Sequence, residues 1–117
     1  MQNDLDIPIF KKTYDLYKNF YCYRADVSKQ DRYTIWQRCE NCILDVLESI
    51  LFAAQSSGQG KVPVLEAASV KLNVLRVLIR LTKDVKAIDN QKYLALESDV
   101  GEIGRMLGGW LRSTKER

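Results

Sequence analysis

The sequence predicts an all-α fold, an antiparallel up-down four-helix bundle built as a single domain over residues 1–117. Long segments carry apolar residues at helical spacing, and none alternates as a strand would. Glycine and proline fall between these segments and punctuate the chain. No Gly-rich phosphate loop follows a strand pattern. Short connections between amphipathic helices favour antiparallel neighbours.

The first helix is expected over about residues 8–24, because Pro8 suits a first helical turn, where its missing N–H costs nothing. A second is expected over 29–55. It is opened by Ser28-Lys29-Gln30-Asp31, which resembles a capping box with Asp in place of the usual Glu. The stretch SSGQGKVP, Ser56 to Pro63, reads as the one flexible loop. A third helix follows over about 64–87. Asp89 or Asn90 then caps a fourth over about 90–114, which leads into the basic tail STKER.

Composition narrows the function. Hydrophobic residues make up 46% of the chain, too many for a disordered protein. No apolar run approaches the roughly 18 residues that suggest a membrane span. The start, MQNDLDIP, is acidic and polar and does not read as a signal peptide. Cys22, Cys39 and Cys42 are an odd set with nothing pointing to export, so a reduced, cytoplasmic setting is expected. The net charge of +3 is a mild basic bias. Histidine is absent altogether, which removes the commonest general base and metal ligand.

Placing each helix on a wheel adds detail. In the third, Glu66, Ser69, Asn73, Arg76, Arg80, Lys83 and Asp84 fall within roughly 100°, and the remaining roughly 220° is almost all Val, Leu, Ile and Ala. That is more apolar surface than one core contact needs, so this helix is either central or meets another subunit on its second flank. In the first helix, Phe10, Tyr14, Tyr17 and Tyr21 follow i, i+4, i+7, i+11. Such a stripe can stack on bases, but packing in a core or interface is the favoured reading. In the fourth, Gly101, Gly104 and Gly108 lie within roughly 40–60° of one another beside the apolar face. Each costs helix stability, so the edge reads as a close contact, either inside the bundle against a large side chain of the first helix or between subunits. Overfilling it, as with Gly108→Leu, is then expected to disturb packing. Gly109 lies away from this edge and has no evident role.

Motifs for chemistry are scarce. Cys39-x-x-Cys42 lies within a helix, without the second pair or histidines of a zinc site or the strand–helix junction of a redox dithiol, and reads as buried thiols. A di-iron bundle needs Glu-x-x-His pairs. Glu40 and Lys71 fall on apolar faces and are expected to pair, with each other or across an interface. No catalytic residue, metal or cofactor is expected. What remains is charge: between Val64 and Ala87, Lys71, Arg76, Arg80, Lys83 and Lys86 face only Glu66 and Asp84. Arg76, Arg80 and Lys83 share one face at i, i+4, i+7, and Arg105 and Arg112 form a second strip. Repeated around an oligomer, such strips would suit phosphates; alone they also suit an ordinary solvated face.

Three segments, RYTIWQRCENCILDVLESILFAAQ (Arg32 to Gln55), KLNVLRVLIRLTKDVKAIDNQKY (Lys71 to Tyr93) and EIGRMLGGWLRS (Glu102 to Ser113), resemble the accessory variability determinant (Avd) proteins of diversity-generating retroelements. These sit within a wider four-helix-bundle group that includes proteins encoded in intervening sequences of 23S ribosomal RNA genes. The resemblance runs from about Phe10 to Ser113, and EIGRMLGGW is its most specific part. It implies a homopentameric barrel with a basic surface that binds the element's reverse transcriptase and nucleic acid, above all template RNA. The complex makes mutagenic cDNA that replaces a variable repeat in a target gene, and the Avd protein contributes no catalytic residue. Carried onto this sequence, the nucleic-acid face is Arg76, Arg80 and Lys83, with Arg105 and Arg112 second. Gly101, Gly104, Gly108 and Trp110 become a packing or subunit contact. The low net charge shifts weight from general nucleic-acid affinity toward contact with the polymerase. The alternatives are an intervening-sequence relative or a purely structural oligomer.

Overall fold

The computed structural model describes residues 7–116, so most of the polar N-terminal segment and Arg117 of the basic tail lie outside the described residues. Among those described, helices carry the fold and no strand occurs. The elements are α1 (Pro8–Tyr23), α2 (Lys29–Arg32), α3 (Ile35–Gln55), α4 (Lys61–Asp84) and α5 (Asn90–Lys115). The four long helices pack as a square: α1 and α4 stand at opposite corners, and each packs on both α3 and α5. No helix among the described residues is long and apolar enough to cross a membrane.

One core fills the square. Leu16 and Phe20 of α1, Trp36, Ile43 and Ile50 of α3, Leu65, Leu75 and Ile79 of α4, and Leu96, Ile103 and Leu107 of α5 are all buried in it. Their spacing on each helix is the 3.6-residue period of the sequence. Cys39 and Cys42 belong to this core as free thiols, and burial pushes the Cys39 thiol up to about 12, so it stays protonated and unreactive.

The second expected helix is not continuous. It breaks after Arg32, and Thr34 leaves the helical region at φ −119, ψ −98. The Thr34 hydroxyl donates to the Gln30 carbonyl at 2.9 Å, the acceptor its own N–H would use in a helix, and that N–H turns to Asp31 O at 3.3 Å instead. The break re-aims the chain so that Trp36 enters the core. Its ring sits 4.4 Å from that of Phe20, and its Nε1–H donates to the Phe20 carbonyl at 3.2 Å. At the start of α2 the Asp31 N–H donates to Ser28 Oγ, but the Asp31 carboxylate accepts from the Ser28 hydroxyl rather than from its N–H, so only half of the expected box forms.

The third expected helix is displaced toward the N-terminus. It begins at Lys61, with Pro63 inside its first turn, where no N–H is needed, and the expected loop shrinks to a short 3₁₀ turn at Gly58–Gly60. It ends at Asp84 rather than Ala87 because Lys86 adopts a left-handed conformation, φ 64. The Ala87 N–H then reaches the Thr82 carbonyl at 2.8 Å and the Lys86 N–H reaches Lys83 O at 2.9 Å, a Schellman closure without its usual glycine. Asp89, not Asn90, caps α5, accepting from the Lys92 N–H at 2.8 Å.

The expected Glu40–Lys71 pairing does not form. Lys71 pairs with Asp45 across α3 and α4 at 3.3 Å. Glu40 is only 5% exposed, and its Oε2 has no hydrogen-bond partner among the described residues. Burial holds its carboxyl above the ordinary value of 4.5, opposed by the charge of Arg24.

Two outcomes follow from these sites. Lys86→Gly relieves a left-handed side chain and is expected to raise unfolding free energy by about 1 kcal/mol, read as a higher urea midpoint at unchanged slope. Glu40 has a raised folded-state pKa, so its penalty is absent below pH 4.5 and grows as pH rises through the folded value. Glu40→Gln is therefore expected to stabilise the protein at pH 7, with a gain that shrinks toward pH 4; equal gains at both pH values would refute the assignment.

Candidate nucleic-acid interface on α4 and α5

The basic residues singled out in the sequence come together only because α4 and α5 run antiparallel. This places Lys83 beside Tyr93 and Arg76 beside Gly101 and Gly104. Lys83 Nζ lies 4.6 Å from the Tyr93 ring centroid, a cation–π contact that leaves it half-buried. Arg80 is exposed one turn away. A groove of about 450 Å³ runs between the two helices, with Arg76, Arg80, Asp84, Tyr93 and Glu97 along it and Val77 and Leu81 forming its apolar part.

Arg76 and Arg105 converge. The Arg105 Nη1 stands 3.6 Å and the Arg76 Nη2 3.9 Å from the place a Cβ on Gly101 would take. Arg76 Nη2 is also 3.5 Å from the corresponding point on Gly104. The bare backbone of these glycines is thus the floor on which two guanidinium groups rest. One carboxylate answers them: Glu97 Oε1 lies 3.8 Å from Arg76 Nε, too far for a hydrogen bond, and that Nε is buried and unpartnered. Two converging guanidinium groups facing one carboxylate leave a local excess of positive charge and free donors in a geometry suited to phosphate oxygens. Arg112, exposed, extends the strip along α5 beside Gly108 and Gly109.

The glycine edge differs from its expected form. Its neighbours inside the subunit are Leu72 and Arg76 of α4, not a large side chain of the first helix. A Cβ on Gly108 would meet only Arg112 Nη1 at 3.9 Å, and one on Gly109 only Arg112 Nη2 at 4.0 Å. Neither position is a close packing point of the bundle, so Gly108→Leu does not overfill the subunit. Trp110 does not belong to this edge either: it lies round the helix, half-buried against the core, with Lys61 Nζ 5.8 Å from its ring. Of the tyrosine stripe, Phe10 and Tyr17 pack against the core while Tyr14 and Tyr21 are exposed, so core packing holds for half of it.

A larger groove of about 840 Å³ opens at the α2–α3 break between Tyr33, Arg38, Asn41, Leu81 and Val85. The sequence signalled neither it nor the break. Among the described residues, no group of His, Cys, Asp and Glu is placed to hold a metal ion.

Replacing Gly109 by Ala removes helix entropy cost without a clash and is expected to raise stability by about 0.5–1 kcal/mol. Gly108→Leu is expected to leave the melting temperature undiminished, the opposite of what a tight intra-bundle contact would give; a fall of several degrees would restore that contact.

Comparison with known proteins places this geometry in a family. No curated protein matches the chain. The family model described as bAvd-like matches residues 8–114, the whole span from the first turn of α1 to the last turn of α5. A match of that extent covers every long helix and both halves of the basic strip, and the chain belongs to the bAvd-like family.

Proposed function

We propose that this chain is the accessory protein of a diversity-generating retroelement. In this reading it assembles as a homo-oligomer, a pentamer by family resemblance, and binds the element's reverse transcriptase and template RNA. It supports mutagenic cDNA synthesis and retrohoming without catalysing a step itself. The observation that carries the reading is the family match over residues 8–114.

The α4–α5 strip supports the nucleic-acid part. Converging Arg76 and Arg105 supply planar, permanently charged donors, and Arg80 and Arg112 extend them along the surface. Glu97 and Asp84 lower the field of one subunit, in keeping with the small net charge of +3. Repetition of the strip around an assembly restores a field strong enough to displace counterions from RNA. Arg76 and Lys83 also have partners in the fold, so Arg80 and Arg105 are the cleaner probes.

The test is binding of a structured RNA to the purified protein across a salt series, beside Arg80→Glu/Arg105→Glu. Wild-type affinity is expected to fall steeply with salt, and the variant to bind more weakly with a log–log slope smaller by about 1.5, one phosphate lost per arginine. Equal slopes would remove RNA from this face. Retention of the reverse transcriptase by an RNA-free sample tests the polymerase contact separately.

A further inference from the structure

Beside the scattered exposed Leu44, Phe52 and Leu94, two rows of apolar side chains stand uncovered among the described residues, and they differ in character. Along α4 and its C-cap, Val70, Val74, Val77, Leu81 and Val85 are exposed at i, i+4, i+7, i+11, i+15, with Val70 64% and Val77 68% exposed and Leu81 and Val85 bordering the groove at the α2–α3 break. They form one aliphatic ridge. Along α1, exposed Tyr14 and Tyr21 continue a stripe with half-buried Phe10 and Tyr17, and the Phe10 and Tyr14 rings stack at 6.3 Å. A monomer seldom exposes aligned apolar side chains over several turns of a helix.

Their placement is informative. Because α1 and α4 occupy opposite corners of the square and do not pack on one another, ridge and stripe cannot cover one another within a chain. α5 serves as a common ruler for their heights. It meets Lys12 of α1 at Asp99 and Glu102, and Leu72 and Arg76 of α4 at Gly101 and Gly104. By this ruler, Phe10, Tyr14 and Tyr21 stand, to within about a helical turn of ~5 Å, level with Val74, Val77 and Val85. α1 and α4 also run in the same direction. Flanking charges are opposite: exposed Lys18 borders the stripe and exposed Asp84 borders the ridge.

We infer that the α4 ridge of one copy seats on the α1 stripe of the next, with the beta-branched valines set between the rings. The inference rests on the proposed homo-oligomer and adds the faces that meet. A contact between two different surfaces of a subunit is heterologous, and repeats until it closes or climbs. Equal heights on parallel helices mean that each copy follows the last with little rise along the helix axes, as a closed ring rather than a climbing filament requires. A two-fold contact of ridge on ridge would instead leave every aromatic stripe bare.

The test uses two variants of the full chain, Val77→Asp/Leu81→Asp on the ridge and Tyr14→Asp/Tyr21→Asp on the stripe, each checked for wild-type helicity by circular dichroism. Mass is read by light scattering at micromolar concentration. The wild type is expected to be a closed oligomer and each variant alone a monomer. An equimolar mixture is expected to give a one-to-one dimer and nothing larger, because only one good ridge and one good stripe remain to meet. A stripe variant that still assembles, or a mixture that yields no dimer while wild type does assemble, overturns the pairing and leaves the oligomer standing. A monomeric wild type overturns the oligomer itself. As a second measure, Tyr14→Cys/Val77→Cys in a Cys22→Ser background is expected to form disulfides between copies on oxidation, since the two positions are too far apart within one chain. Absence of such crosslinks in an assembled sample also refutes the pairing.

Discussion

The constraint on which the structure turns is the width of the apolar surface of α4. A helix at the corner of a four-helix square can give little more than a third of its circumference to the core. Leu65, Ala68, Leu72, Leu75 and Ile79 take that share. Val70, Val74, Val77 and Leu81, with Val85 at the C-cap, fall outside that share and stay exposed. The polar residues are left to the two flanks: Lys71 turns to Asp45 of α3, while Arg76 and Lys83 turn toward α5 and Arg80 borders the groove between α4 and α5.

The glycines of α5 have arginine guanidinium groups as neighbours rather than the backbone of another helix. A helix crossing another at ordinary distance does not need glycine at Gly101 or Gly104, since a Cβ there would find normal contact distances. The Arg76 and Arg105 guanidinium groups lie against this stretch, and an alanine there would meet them at ordinary van der Waals contact, so nothing within the subunit requires glycine at either position. Gly108 and Gly109 have no comparable tenant beyond Arg112, and nothing within the subunit explains them.

Much of the fold was legible in the residues. The period of Leu, Ile and Val identified four helices and their buried faces, Pro8 and Asp89 marked starts, and the buried state of Cys39, Cys42 and Glu40 followed from their wheel positions. The misreadings were local and backbone-driven. Thr34 breaks a helix by donating its hydroxyl to a carbonyl, a competition that no apolar period reveals, and Lys86 ends one in a conformation for which glycine is the usual signal. The candidate site was half legible: its cations were named, and the glycines beneath them were named separately, without the connection between the two.

The sequence by itself determined the class of fold, the inward face of each helix, and the surplus apolar arc of α4, because these depend on the order of residues along one helix. Only the tertiary structure decided which helices are neighbours. Adjacency brings Arg76 to Gly101 and Arg105, turns Lys71 to Asp45 instead of Glu40, and sets α1 and α4 at opposite corners with their apolar surfaces level. Contacts between helices depend on register and corner position, quantities that core packing sets collectively and that a periodicity confined to one helix does not contain.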